Sequence, residues 1–397
     1  MNMTRYARLF YGIAARAVMP AVLALIFAFV PAVTAGYAAP AEVPPPRCDS
    51  PSCVVMDAVS GEVLFEKNSR EKRHPASVTK IMTLLLTLED VAAGKVALSD
   101  QVTASANAWE MGGTEVWAEP GETMELEEWI KAVAVASAND GAVILAEYIS
   151  GTEEAFVARM NERARELGMV DTTFQNSHGL DADNHVTTAM DLAILSRAAT
   201  QVPHLLDYTK IYQMPFRGGK NELVNFNKLV LLYPGCDGLK TGFTNKSGYC
   251  ISVTAHEKGS RFIVVLMGAE TPDQRLADAS RLLDWAFANF RSLPILDPGE
   301  VVAQARVLKG KADTVTVIPE RPFAVTLRRG QKGEVKQYVD VQKVVAPVVE
   351  GAAVGAITVH VDGEKVAQIP LIAKESVERA GFLDYAMRYF RAFTVGR

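Results

Sequence analysis

Apolar and polar positions change their period as this chain is followed from one end to the other. In "SCVVMDAVSGEVLFEKN" two apolar runs flank Ser60-Gly61, which predicts a β-hairpin. From Ser77 to about Thr200 the spacing is helical, in "IMTLLLTLEDVAAG", "LEEWIKAVAVAS", "DGAVILAEYIS" and "EEAFVARMNERARELG". The first of these reads as a buried helix, with Pro75 suited to its start and Gly94 to its stop. Strands return in "CDGLKTGFT", "YCISVTAHEK" and "SRFIVVLMGA", and "DASRLLDWAFANF" is an amphipathic helix. This order predicts an α/β layered domain with an antiparallel sheet and a helical subdomain over 45–292. After "RSLPILDPGE" the pattern alternates in twos between turn residues, which predicts a small all-β domain over 295–373. The stretch 375–397 returns to helical spacing. Phe382, Leu383, Ala386, Met387, Phe390 and Phe393 share one face, and Arg379, Arg388 and Arg391 fall towards others. Such a stripe suits a helix lying on a membrane surface, or one packed on the β-domain.

The N-terminus adds a destination. Arg5, Arg8 and Arg16 precede an uncharged run from Ala17 to Ala41, with small residues at Ala35 and Ala38. That pattern predicts an export signal over 1–38, and the run is also long enough for a retained anchor. Either reading puts the bulk of the chain outside the cytoplasm. Export permits disulfides, and Cys48, Cys53, Cys236 and Cys250 allow three full pairings. No C-x-x-C pair points to zinc, and no metal or other cofactor is expected. The net charge of −5 comes with no dominant basic patch, so no nucleic-acid partner is expected. The 397 residues, 49% of them hydrophobic, are enough for two cores.

Candidate chemistry sits at the mouth of the first buried helix. In "HPASVTKIMT", Ser77 and Lys80 are three residues apart and so share a helix face at an N-terminus, where backbone N–H groups are free. A second S-x-x-K, Ser69 to Lys72, lies in a charged stretch with no apolar turn after it. A working Ser–Lys pair needs a neutral lysine, a proton carrier and an oxyanion site. Downstream, Ser137-Ala-Asn139 falls between two apolar helices and Lys240-Thr241-Gly242 falls on a strand. S-x-N also occurs at Ser105-Ala-Asn107, so it is weak alone. The ordered trio is a strong signal. "SHGLDADNH" clusters His178, Asp181, Asp183 and His185 at no metal-ligand spacing, and reads as a polar loop. "WEMGGTEVWAEPGE" reads as a loop over the site.

These motifs identify a resemblance. "HPASVTKIMT", "SAND" and "DGLKTGFTNKSGYC", with "NSHGLDADNHVTTAMDLA", resemble the low-molecular-weight penicillin-binding serine D-alanyl-D-alanine carboxypeptidases, over nearly the whole chain. The resemblance selects Ser137 over Ser105 by its distance from Ser77. It implies a transpeptidase/β-lactamase-like domain followed by a β-sandwich, and peptidoglycan stem peptides and β-lactam antibiotics as partners. It also favours anchoring at the extracytoplasmic face of the bacterial cytoplasmic membrane through the final helix. The roles it implies are catalytic for Ser77, Lys80 and Ser137. Asn139, Lys240, Thr241, Gly242, Phe243 and Arg275 are implied for the substrate: Thr241 and Arg275 for the free carboxylate, and the Phe243 N–H, with that of Ser77, for the oxyanion. Where some relatives have a histidine after K-T-G, this chain has Phe243. A class A β-lactamase shares the three motifs, but its E-x-x-L-N loop is absent here. DD-endopeptidase activity, slow β-lactamase activity and wall binding without turnover are the alternative readings.

Overall fold

The hairpin expected around Ser60-Gly61 forms between Ser52–Asp57 and Val63–Lys67. The structure is a computed structural model that describes residues 43–297 and 299–387. The expected export signal, 1–38, lies outside the described residues.

The hairpin is one edge of a five-stranded antiparallel sheet. Its order is Val63–Lys67, Ser52–Asp57, Ser260–Ala269, Gly248–Glu257, Cys236–Thr244. The Ser260–Ala269 strand is apolar on both faces because both are covered: the helices Pro272–Asn289 and Ala189–Ala199 each pack against it. The helix Lys80–Ala92 is sheathed by Leu126–Val135, Asn139–Ser150 and Ala189–Ala199. Its Leu84, Leu85 and Leu88 are at most 1% exposed. Each such side chain contributes about 1.5–3 kcal/mol by leaving water, so this helix is the axis of the larger core. A left-handed Gly94 follows its last turn, as the sequence predicts.

The β-domain starts directly at the end of the Pro272–Asn289 helix, with Phe290–Leu296, rather than after a linker. That strand pairs with Phe323–Arg328, and a six-stranded sheet provides the other layer. Val315, Val317, Ile357, Ile369 and Leu371 are fully buried in this domain's own core. Asp57 ties the two domains together: its carboxylate accepts from the hydroxyls of Ser292 and Thr326, both at 2.8 Å.

The helix expected from 375 onward begins later. Residues 375–380 run extended along the β-domain, where Val377 pairs with Val348 and Ala380 is buried. Val377 points into the core, so an inward-facing apolar residue here is a strand residue and not part of the helical stripe. Residues 382–387 are helical, with Phe382, Leu383 and Met387 exposed. The rest of that stripe, Phe390 and Phe393, lies outside the described residues. Among the described residues no helix is long and apolar enough to cross a membrane.

Candidate active site

Ser77 does not sit in the α-helix. It occupies a 3-10 turn, Ala76–Thr79, and the α-helix begins at Lys80. Two glycines let other segments close on this turn. Gly179 has φ +92°, and a Cβ there would overlap the Ala76 carbonyl. A Cβ at Gly242 would stand 2.9 Å from the Ser77 nitrogen and 3.0 Å from the Pro75 oxygen. The turn is thus held between the 176–181 loop and the Cys236–Thr244 edge strand.

Lys80 is fully buried, and its Nζ meets three oxygens. It lies 2.6 Å from Asn139 Oδ1, 2.6 Å from the His178 carbonyl and 3.0 Å from Ser77 Oγ. Asn139 is oriented by donating its Nδ2 to the Gly112 carbonyl at 2.6 Å. Burial pushes the Lys80 ammonium well below its ordinary pKa, and the Lys240 charge adds to that push. A neutral amine has two N–H donors and one lone pair. Asn139 Oδ1 and the His178 carbonyl can only accept, so they take the two N–H groups. Once Lys80 gives up its proton, the lone pair is left for the one partner that can donate, the Ser77 hydroxyl. The geometry is that of a base holding a nucleophile.

Ser137 links Leu126–Val135 to Asn139–Ser150, as its position between two apolar runs predicts. Its φ is +61°, an uncommon conformation for serine, and it is 4% exposed. Lys240 is buried on the edge strand and donates to the Thr241 carbonyl at 3.1 Å. Burial, then the Arg275 charge, lowers its pKa to about 7. Phe243 is half exposed at the strand end and stacks on Tyr249, with ring centroids 4.3 Å apart.

Arg275 differs from the surface ion-pairing arginine that a helix start after a strand also suggests. It is 7% exposed, and its Nη1 lies 3.4 Å from the Cys250 carbonyl. Its guanidinium stands 5.7 Å from the Tyr249 ring, and its buried Nε has no partner. A buried cation with an unsatisfied N–H, beside Lys240, makes this end of the strand positive and favourable to an anion.

The two decoys have structural duties. Ser69 donates to Glu66 at 2.6 Å, and Lys72 lies 3.4 Å from Asp171 at the surface. Ser105 caps a short helix by accepting from the Ala108 N–H at 3.0 Å, and Asn107 donates to Glu147. Motif spelling alone does not separate these copies from Ser77 and Ser137; their partners do.

Other contributors lie outside the three motifs. The carbonyl of His178 holds Lys80, and the His185 ring lies 2.9 Å from Thr79 Oγ1. Burial keeps both imidazoles neutral, with pKa values pushed down to about 3 and about 4. The polar loop expected from "SHGLDADNH" is therefore a wall of the site, and Asp181 accepts from Thr244 across it at 2.8 Å. The 112–118 segment hangs from the S-x-N motif: Asn139 N donates to the Thr114 carbonyl, and Asp140 accepts from Val116 and Ala118 N–H. No group of three or more His, Cys, Asp or Glu suited to a metal occurs among the described residues. The four cysteines are free thiols.

The chain is similar to known proteins over both of its domains. A family model described as D-alanyl-D-alanine carboxypeptidase matches residues 39–271. Another, for the C-terminal domain of penicillin-binding protein 5, matches 290–379. D-alanyl-D-alanine carboxypeptidase DacF of Bacillus subtilis is 37% identical, covering 86% of this chain and 89% of that protein. DacC of Escherichia coli, a D-alanyl-D-alanine carboxypeptidase, is 34% identical over 98% of each. The structure of penicillin-binding protein 5 from Haemophilus influenzae superposes with a TM-score of 0.71 at 29% identity, covering 85% of this chain and 100% of that one. Penicillin-binding protein D2 from Listeria monocytogenes, solved in an ampicillin-bound form, gives 0.56 at 30% identity, covering 62% of this chain and 100% of that one.

Proposed function

Because this chain belongs to the D-alanyl-D-alanine carboxypeptidase family, we propose that it removes the terminal D-alanine of peptidoglycan stem pentapeptides through an acyl-enzyme at Ser77. It is a serine-type DD-carboxypeptidase and a penicillin-binding protein. The observation that carries the mechanism is the buried Lys80, whose two pure acceptors leave its lone pair to Ser77 Oγ at 3.0 Å. Ser77 Oγ attacks the carbonyl carbon of the penultimate D-Ala as Lys80 Nζ takes its proton. The N–H groups of Ser77 and Phe243 hold the oxyanion, a role supported by the close approach of Gly242 to the Ser77 nitrogen. The C–N bond then breaks, and the departing amine of D-Ala takes up a proton through Ser137. Water attacks the ester by the reverse sequence and frees Ser77. The Thr241 hydroxyl, by donating a hydrogen bond, and Arg275, by its charge, bind the substrate carboxylate.

β-Lactams acylate the same oxygen. Labelled penicillin should mark Ser77, and Ser77→Ala should abolish both the label and the release of D-Ala from a pentapeptide. A label mapped to Ser69, or D-Ala release by the alanine variant, would overturn this reading.

The reading extends to location. Exported and freed of residues 1–38, the enzyme rests on the outer face of the membrane by the helix that starts at Phe382. Support comes from Phe382, 87% exposed, beside exposed Leu383 and Met387, an apolar face with no cover among the described residues.

A further inference from the structure

The carbonyl that holds Lys80 belongs to a peptide pinned from two sides. Ser177 and His178 are neighbours in the 176–185 loop, and Ser177 is fully buried. From the Lys80–Ala92 helix, Lys80 donates to the His178 carbonyl at 2.6 Å. Thr83, one turn on, donates to the Ser177 carbonyl at 2.6 Å. From the other side comes Glu153, the first residue of the helix Glu153–Leu167. Its Oε1 accepts from the Ser177 N–H at 2.9 Å and from the Ser177 hydroxyl at 2.7 Å. The same oxygen stands 3.7 Å from His178 Nε2. The Leu180 N–H donates to His178 Nδ1 at 3.1 Å, so the neutral ring carries its proton on Nε2, towards Glu153.

Glu153 does not serve as the cap of its own helix. Thr152 does that by accepting from the Ala155 N–H, and the neighbouring Glu154 is exposed. Among the described residues, the side-chain hydrogen bonds of Glu153 go to Ser177 alone. Without that carboxylate, a buried N–H and a buried hydroxyl lose their acceptor, and the Ser177–His178 peptide turns to find another. The His178 carbonyl then leaves Lys80. One of the two acceptors that aim the amine's lone pair at Ser77 Oγ is gone. We propose that Glu153 is a positioning residue for the acylation of Ser77: through Ser177 it holds the His178 carbonyl against Lys80, and so fixes the base on its nucleophile. This rests on the Ser77 acyl-enzyme reading above and adds to it a residue from outside the three motifs.

The test follows the rate at which labelled penicillin acylates Ser77 and the release of D-Ala from an acyl-D-Ala-D-Ala peptide, with a melting curve for each variant. Glu153→Ala should slow acylation by about 10²-fold, the cost of misplacing a reacting group by about 1 Å. On the peptide the loss should fall on kcat, with KM within about twofold of the parent, as for an interaction used only in the transition state. Glu153→Gln keeps an acceptor oxygen at the same reach and should acylate within about threefold of the parent rate. If Glu153→Ala does not fold, Thr83→Val replaces it, since it frees the Ser177 carbonyl from the other side and carries the same expectation. Acylation at the parent rate in the folded Glu153→Ala protein, or in Thr83→Val used in its stead, leaves a structural role only and overturns the proposal, whatever the melting temperature. So does a Glu153→Gln enzyme as slow as Glu153→Ala, because the acceptor is then not what matters. A loss confined to KM overturns it too. If the parent enzyme releases no D-Ala and penicillin fails to label Ser77, the carboxypeptidase reading falls and this one with it.

Discussion

At the scale of single residues, the proposed site depends on where protons sit. Ser137 carries no bulk that packing needs, so its hydroxyl can be tested alone. Ser137→Ala should lower turnover of a pentapeptide by about 10²–10⁴-fold, the usual worth of positioned proton transfer. Ser105→Ala, measured beside it, should keep its activity and lose about 1 kcal/mol of stability, because that serine caps a helix. Equal losses of turnover would mean that the wrong S-x-N has been assigned. Lys240 acts through charge. It lowers the Lys80 pKa, so removing it lets that pKa rise. Activity that increases with pH as Lys80 loses its proton should therefore increase at higher pH in Lys240→Ala. A pH–rate profile of kcat/KM reads this directly. A limb that stays in place would leave Lys240 with substrate binding only.

At the scale of elements, the site is a 3-10 turn held between a loop and an edge strand. Gly179→Ala would add a Cβ into the Ala76 carbonyl at a left-handed position. It should cost about 2 kcal/mol or more in a melting curve and slow penicillin acylation of Ser77 in parallel. Acid should loosen the same loop. His185 is neutral when folded, with its pKa depressed from 6.5 to about 4 by burial. Between those values the unfolded chain binds more protons, so stability is full above pH 6.5 and is lost as the pH falls towards 4. Melting temperatures across that window should show the slope, and His185→Gln should reduce it, with the rest left to His178, whose pKa is pushed down to about 3. Helix, loop and strand were legible from period and turn residues at this scale, in "IMTLLLTLEDVAAG" and "CDGLKTGFT" alike. That Ser77 precedes the α-helix was not, because a 3-10 turn and a first α-turn share the same residues and differ only in what presses on them.

At the scale of the molecule, the C-terminal stretch divides into an extended strap and the start of a helix. Truncation after Ala373 would remove Val377 and Ala380 from the β-domain, and should lower the melting temperature by several degrees. Truncation after Ala380 keeps the strap and removes only the helix. It should leave a soluble, active enzyme with an almost unchanged melting temperature, as fractionation and calorimetry would show. A protein truncated after Ala380 that still sediments with membranes would assign anchoring to another segment.

By itself, the sequence determined the two-domain order, the antiparallel sheet, the three ordered motifs, and the position of S-x-N on a helix–helix loop and of K-T-G on a strand. These are local properties: side-chain period, turn chemistry and short spacing are written in neighbouring residues. Only the tertiary structure showed what the serines of the S-x-x-K and S-x-N copies touch: Ser69 the Glu66 carboxylate, Ser105 the Ala108 N–H and Ser77 the Lys80 amine. It also decided that Arg275 is enclosed, that the wall of the site is the 176–185 loop, and that the Lys80 pKa is pushed down by burial. The reason is physical. A lysine gives up its proton when segments remote in the chain close over it, here the His178 carbonyl, Asn139 and Lys240, and no local pattern of residues encodes that closure.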